Sequence, residues 1–242
     1  MAKHYVVWVG REPGIYSSWP DCNRQIVGFK GAKFKSYTDY EKALEAFNNP
    51  ETHQPGNTAA FESFRNATME ELLAGFPYAV FCDGGCYPNP GPSGTGMVIY
   101  ADGVFQQGFY GCHEPQGTNN TAELYGLLQA LDFVDFLVCD QGFTEKVVIH
   151  CDSQYTLNSV ANWGFTWAKN GWRKGNDAPI QNVTMIRCAH EAYKQLMDHV
   201  VLRHVKGHAG IEGNEFADQL ATRARESREK GWVSVSETEL CA

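Results

Sequence analysis

Two hydrophobic periods run along the chain, and they change where its elements change. From Tyr78 onward three runs rich in β-branched and aromatic residues arrive in succession, Tyr78 to Cys82, Thr95 to Tyr100 and Val104 to Tyr110, separated by Gly, Pro and Asp-Gly turns. They predict an antiparallel meander. The period then lengthens. Leu124, Leu127, Leu128, Leu131 and Val134 fall on one face of an amphipathic helix that begins near Asn120. A strand over Val147 to Cys151, helical stretches from Ser153 to Asn170 and from Ala178 to Met197, a strand over Val200 to Val205 and a helix from Glu212 to Arg228 complete the series. The order βββαβααβα predicts an α/β fold, a mixed five-stranded sheet with helices on its faces.

Ahead of this body the pattern is shorter and separate. Residues 1–47 read as a small α/β module: a strand over Tyr5 to Val9, a Pro13-Gly14 turn, and helices over Asp21 to Val27 and Asp39 to Phe47. Residues 48–76 are rich in Asn, Thr, Pro, Glu and Gly, with only a short Met69 to Leu73 turn, and read as a flexible linker. As a random coil, about 28 such residues would span roughly 30 Å. The body occupies residues 77–230, and residues 231–242 form a short polar tail.

Composition narrows the class. At 242 residues, 43% apolar and 20% charged, the chain is ordinary globular protein. Its longest apolar runs, such as Tyr78 to Cys82, fall far short of a membrane span of about 20 residues. The apolar stretch before Arg11 and Glu12 is too short for a secretory signal. Eight scattered cysteines lack the spacing of a disulfide scaffold and read as reduced thiols. Cys82 and Cys86 are off the usual zinc spacing, with no second ligand pair. These features place the chain in the cytoplasm, away from membranes. A formal charge of −8 argues against indiscriminate nucleic-acid binding, but the distribution reverses that inference. Residues 1–38 hold six basic side chains against Glu12 and Asp21, a net +4, so the remainder carries −12.

Chemistry is concentrated in acids at element ends. Asp83 closes the first strand of the body and Asp152 the fourth; if those strands are neighbours, the two carboxylates meet at one sheet edge. Glu123 lies in the first turn of the long helix, beside its apolar stripe, and Asp218 lies inside the last helix. Taken singly, each acid reads as a turn former or a solvated side chain. Gathered together they repel, and hard divalent cations such as Mg²⁺ or Mn²⁺ are the usual relief. Two such ions about 3.5 to 4 Å apart can activate water and stabilise a leaving oxygen during in-line attack on phosphorus.

These acids stand in four motifs: Asp83-Gly84-Gly85, Thr118-Asn119-Asn120-Thr121-Ala122-Glu123, Cys151-Asp152-Ser153-Gln154-Tyr155, and Lys206-Gly207-His208-Ala209-Gly210 running through to Asp218. In this order and spacing, residues 77 to 228 resemble the type I ribonuclease H family. The resemblance implies an RNase H-like fold and an endonuclease that hydrolyses the RNA strand of RNA/DNA hybrids, leaving 5′-phosphate and 3′-hydroxyl ends. It implies Asp83, Glu123, Asp152 and Asp218 as ligands of two Mg²⁺ ions, with His208 as a mobile active-site histidine. His208 lies in a Gly-rich loop, where imidazole can exchange protons near neutrality; otherwise it is a solvated loop residue. His150 and His204 read as strand residues.

Several further residues could hold a hybrid. Trp163 and Trp167, four apart on one helix face, and Trp172 alternate with Lys169, Arg173 and Lys174. This is either a helix packed by its tryptophans or an aromatic and cationic groove for a nucleic-acid backbone. The resemblance implies a basic protrusion gripping the DNA strand, with Tyr155, Trp163 and Trp167 at its aromatic positions. Asn89, Asn119 and Asn120 are loop amides that could cap turns or bond sugar hydroxyls. The resemblance implies contacts to ribose 2′-hydroxyls, and a phosphate pocket at Thr118 and Asn182. The front module separately resembles the hybrid-binding, viroplasmin-like domain found ahead of many such enzymes, through Tyr5 to Gly10, Gly14 to Trp19, Cys22 and Gly31 to Tyr37. That resemblance implies duplex contacts from Trp19, Phe34 and Lys35; Trp19 could equally be core. Where some relatives carry a second lysine this chain has Ser36. The expected partner is an RNA/DNA hybrid duplex, bound by a monomer. An inert nuclease domain behind a binding module, or another two-metal strand transferase, competes with this reading, but neither accounts for the Asn-Asn and Lys-Gly-His-Ala-Gly motifs together.

Overall fold

The structure, a computed structural model, describes residues 3–48, 61–64, 67–174 and 178–240. They form two compact units, one ending by residue 60 and the other beginning at Phe61.

In the first unit, β1 (His4–Val9), β2 (Gly14–Tyr16) and β3 (Lys33–Tyr37) form an antiparallel sheet in the order β2-β1-β3. Helices α1 (Trp19–Ile26) and α2 (Tyr40–Asn48) complete it. The alternation of β1 decides the packing: Val6 and Trp8 meet Ala43 and Ala46 of α2, while Val7 meets Cys22 and Ile26 of α1. The Trp8 indole donates to the Ala46 carbonyl at 2.9 Å. Ser18 caps α1 by accepting from the Asp21 amide. The expected strand and both helices are present; β2 and β3 are additional, the one only three residues long and the other a lysine-bearing strand without a continuous apolar run.

The second unit is built on a seven-stranded sheet in the order β10-β7-β6-β5-β8-β9-β4. Its inner five strands are those predicted: β5 (Tyr78–Cys86), β6 (Gly91–Ala101), β7 (Val104–Gly117), β8 (Val147–Cys151) and β9 (Val200–Val205). The first three form an antiparallel meander, and β5, β8 and β9 run parallel. One face is covered by α4 (Asn119–Asp135) and α7 (Val183–Leu196), with Leu124, Leu127, Leu131 and Val134 fully buried. The long helix continues beyond Asp135 as a π-helical turn, Phe136–Asp140. The other face is covered by α8 (Glu212–Ser227) through Ala217, Leu220 and Ala224. Between β8 and α7 the chain passes through α5 (Gln154–Asn158), a π-helical turn Ser159–Trp163 and α6 (Gly164–Lys169). None of the described helices is long and apolar enough to cross a membrane.

Both ends of this unit depart from expectation. Residues 49–60 and 65–66 of the expected linker lie outside the described residues. The rest of its second half is not linker. β4 (Ser63–Phe64) pairs in parallel with β9, and α3 (Met69–Leu73) buries Leu72 completely against the α8 face of the sheet. A capping box between Thr68 and Glu71 holds the helix start. The segment is too short and polar to show periodicity, and its apolar residues gain their role from sheet contacts. The tail is likewise structural: β10 (Val233–Val235) pairs with β7, Val235 is buried, and α9 (Glu237–Leu240) follows. Leu72→Ala is expected to destabilise the second unit by about 2–5 kcal/mol, as a fully buried leucine does. Denaturant unfolding of the full chain checks this; a loss below about 0.5 kcal/mol, the surface-substitution scale, would return the segment to a linker.

Candidate active site

The central pairing positions the first two acids. β5 and β8 are parallel neighbours paired as far as Cys82 opposite Cys151, so the next residues, Asp83 and Asp152, lie side by side where that pairing stops. Asp152 follows the end of β8, but Asp83 does not close its strand as expected, because β5 runs on to Cys86 against β6. Glu123 reaches them because α4 starts directly against β5. Thr118 caps that helix reciprocally with Thr121. Its backbone passes so close to Gly84 that a Cβ there would collide with Ala122, so only glycine permits this approach. Carboxylate oxygens of Asp83, Glu123 and Asp152 lie within 4.8 Å of one another.

This crowding shows in their protonation. Asp83 is buried, and desolvation, helped by the Asp152 and Asp218 charges, lifts its carboxyl from 3.8 to about 7, although the Gly84 amide donates to it at 2.7 Å. Burial and the charges of Asp152 and Asp83 lift Glu123 from 4.5 to about 8, against a Thr156 hydroxyl donating at 3.4 Å. Asp152 is raised by burial too, opposed first by a bond from the Asn214 side chain and then by His208. Among the described residues no lysine or arginine pairs with these three acids. An oxygen-only donor set with uncompensated charge is a fit for hard divalent cations.

Asp218 and His208 stand at the rim. Asp218 lies outside the tight trio with its side chain 38% exposed, and His208 Nδ1 is 4.0 Å from its carboxylate. The His208 side chain is 79% exposed on a left-handed residue (φ 50°), next to Gly207, where a Cβ would collide with the Asp152 carboxylate. The turn therefore sits directly on Asp152 while its imidazole remains free in solvent.

The remaining expected residues are distributed as follows. Asn89 and Asn119 flank the strand ends: the Asn119 side chain accepts from the Cys86 amide at 2.8 Å, and Asn89 accepts from the Asn119 amide at 3.4 Å. Asn120 follows in the first turn of α4. The Thr118 hydroxyl is engaged in the helix cap. Asn182 holds a left-handed conformation before α7, and its buried Nδ2 has no hydrogen-bond partner among the described residues. Tyr155, Trp163 and Trp167 form a row of rings, with centroids 6.3 Å and 5.6 Å apart, and Trp163 is exposed. Trp172 instead packs against His190 and under Arg187. In the first unit Trp19 is 45% exposed, flanked by Tyr5 and Phe34, and Lys35 lies over the Tyr37 ring.

Sequence reasoning missed Asn214 and His204. Asn214 is buried one helical turn before Asp218, a spacing that puts both on one face of α8. His204 is not a plain strand residue: its Nε2 bonds the Asp152 carbonyl at 3.0 Å. His150 is a core residue stacked on Phe81, and burial pushes it down to about 3.

Comparison with known proteins agrees with this geometry. The ribonuclease H family model matches residues 77–226, and that of the ribonuclease H1 N-terminal domain matches residues 3–47. The chain is 36% identical over 154 residues to ribonuclease H of Nitrosomonas eutropha, covering 61% of this chain and 89% of that one. With ribonuclease H of Rhizobium etli the identity is 36% over 152 residues, covering 63% and 93%. Among solved structures, LC9-RNase H1, described as a type 1 RNase H with the type 2 active-site motif, matches at 28% identity and a TM-score of 0.56 over 69% of this chain and 82% of that one. The chain therefore belongs to the ribonuclease H family, enzymes that hydrolyse the RNA of RNA/DNA hybrids, and carries the family's N-terminal domain ahead of its catalytic one.

Proposed function

We propose that the chain cuts hybrid RNA endonucleolytically, leaving 5′-phosphate and 3′-hydroxyl ends, with Asp83, Glu123, Asp152 and Asp218 holding two Mg²⁺ ions. The observation that carries this is the convergence of three carboxylates within 4.8 Å that form no ion pair with a lysine or arginine among the described residues. Bound divalent ions would supply water activation and neutralisation of charge developing at phosphorus. The chain's own groups do the rest. The exposed His208, 4.0 Å from Asp218, can pass protons or assist product departure without holding metal. The amides of Asn89, Asn119 and Asn120 would bond 2′-hydroxyls and so distinguish RNA from DNA. The row Tyr155, Trp163 and Trp167 offers flat apolar faces to the sugars and bases of the DNA strand, and Thr118 and Asn182 complete this reading as the phosphate pocket. The described cysteines are free, which suits action in the reducing cytoplasm, by a monomer.

The first unit fits a tether: the exposed Trp19 edge and Lys35 suit a duplex backbone, and a second contact on one chain acts at high effective concentration. Domains of 1–47 for binding and from residue 61 for catalysis are part of this proposal.

Asp83→Asn, Glu123→Gln and Asp152→Asn should each abolish hybrid cleavage in Mg²⁺ while the protein remains folded; near-normal rates in all three would remove the metal assignment. His208→Ala should lower kcat on the order of a hundredfold with little change in KM, and a loss confined to KM would contradict its role. Trp19→Ala combined with Lys35→Ala in the full chain should weaken hybrid binding, flatten its salt dependence and shorten runs of successive cuts, leaving kcat at saturating substrate intact. Unchanged affinity and salt slope would show that the first unit has another task.

A further inference from the structure

The described residues just before the family match, 61–64 and 67–76, reach the candidate site through β9. Its strand β4 is hydrogen-bonded to β9 where that strand runs toward His208: the His204 amide donates to the Glu62 carbonyl at 2.9 Å, and the Lys206 amide to the Phe64 carbonyl at 3.0 Å. Arg203 fastens the pair. Its guanidinium lies over the Phe64 ring at 5.1 Å and the Phe76 ring at 4.9 Å and bonds Glu62 at 3.0 Å.

Within this clamp the Ser63 hydroxyl lies 2.7 Å from His204 Nδ1, and His204 Nε2 lies 3.0 Å from the Asp152 carbonyl oxygen. A carbonyl only accepts, so Nε2 carries the hydrogen directed at Asp152; in the neutral ring Nδ1 then accepts from the serine hydroxyl. The serine thus fixes the ring orientation that holds the backbone of Asp152. On the other side of Asp152, Gly207 lies so close to its carboxylate that a Cβ there would collide with it unless the carboxylate moved. Any shift of the end of β9 relative to the end of β8 is felt at both the backbone and the carboxylate of this residue.

We propose that Ser63 and His204 are positioning residues of the nuclease, through which a segment upstream of the residues that match the family sets Asp152 and the Gly207-His208 turn. The inference rests on the reading of Asp152 as a metal ligand. Residues that orient a ligand in this way commonly change metal affinity or activity by tenfold or more when removed.

The test uses the full chain with Ser63→Ala, Ser63→Thr and, as reference, Asp152→Asn. It measures kcat and KM on a hybrid, melting temperature, and Mg²⁺ binding by calorimetry without substrate. Ser63→Ala is expected to lower kcat and weaken Mg²⁺ binding, each by about tenfold, with KM and melting temperature held, while Ser63→Thr restores both. Wild-type kcat and Mg²⁺ affinity in Ser63→Ala overturn the proposal. So does a loss of activity that merely tracks a lowered melting temperature, or one that Ser63→Thr fails to restore. An inactive Asp152→Asn beside an unchanged Ser63→Ala removes this inference alone, whereas a fully active Asp152→Asn removes the reading of the site and the inference with it.

Discussion

The second unit depends on one pairing, the parallel registry of β5 with β8. With Cys82 opposite Cys151, the two carboxylates that follow must lie side by side where the β5–β8 pairing stops, and no later adjustment of side chains could separate them by more than their own length. The apolar strands enforce this arrangement, since Val80, Phe81, Val148 and Ile149 are fully buried and a slip by one residue would turn them out of their cores. Hydrophobic burial therefore holds together groups that repel. The consequence is visible in Asp83 and Glu123, both of which keep their protons far above the usual carboxylate range. A multivalent cation bound there would take the place of those protons.

Around this pairing the other elements supply precise approach. Gly84 lets α4 descend on β5 and deliver Glu123, Gly207 lets the His208 turn settle on Asp152, and Asn214 from α8 donates into the same carboxylate. Two helices and one turn thus converge on strand ends from both faces of the sheet. The more exposed Asp218 and His208 form the outer side, open to a substrate as large as a duplex.

Much of this was legible in the chain because it depends on local signals. The Leu124 to Val134 stripe, the apolar runs of β5 to β7 and the acids that follow apolar runs are each signals within one element, and the motifs around them are dense. What escaped was carried by contacts between distant residues. Ser63 and Phe64 look like linker in isolation, since two residues cannot display a period, yet β9 supplies a partner edge about 140 positions away. Val233 to Val235 joins β7 in the same manner. His204 looked like any strand histidine because its role depends on the Asp152 carbonyl, 52 residues earlier in the chain. Trp19 was open between core and surface in the sequence alone; the structure leaves it exposed between two aromatic neighbours, Tyr5 and Phe34.

The central claim is that charge crowded by the β5–β8 pairing is relieved by divalent ions, and proton release on metal binding tests it most directly. Calorimetric Mg²⁺ titration of the full chain at pH 7, repeated in buffers of different ionisation enthalpy, counts the protons displaced. With Asp83 raised to about 7 and Glu123 to about 8 in the metal-free protein, binding should expel roughly one to two protons per chain, and affinity should rise with pH through this range. The release should fall in Glu123→Gln. Binding without proton release, or release unchanged in Glu123→Gln, would contradict the account.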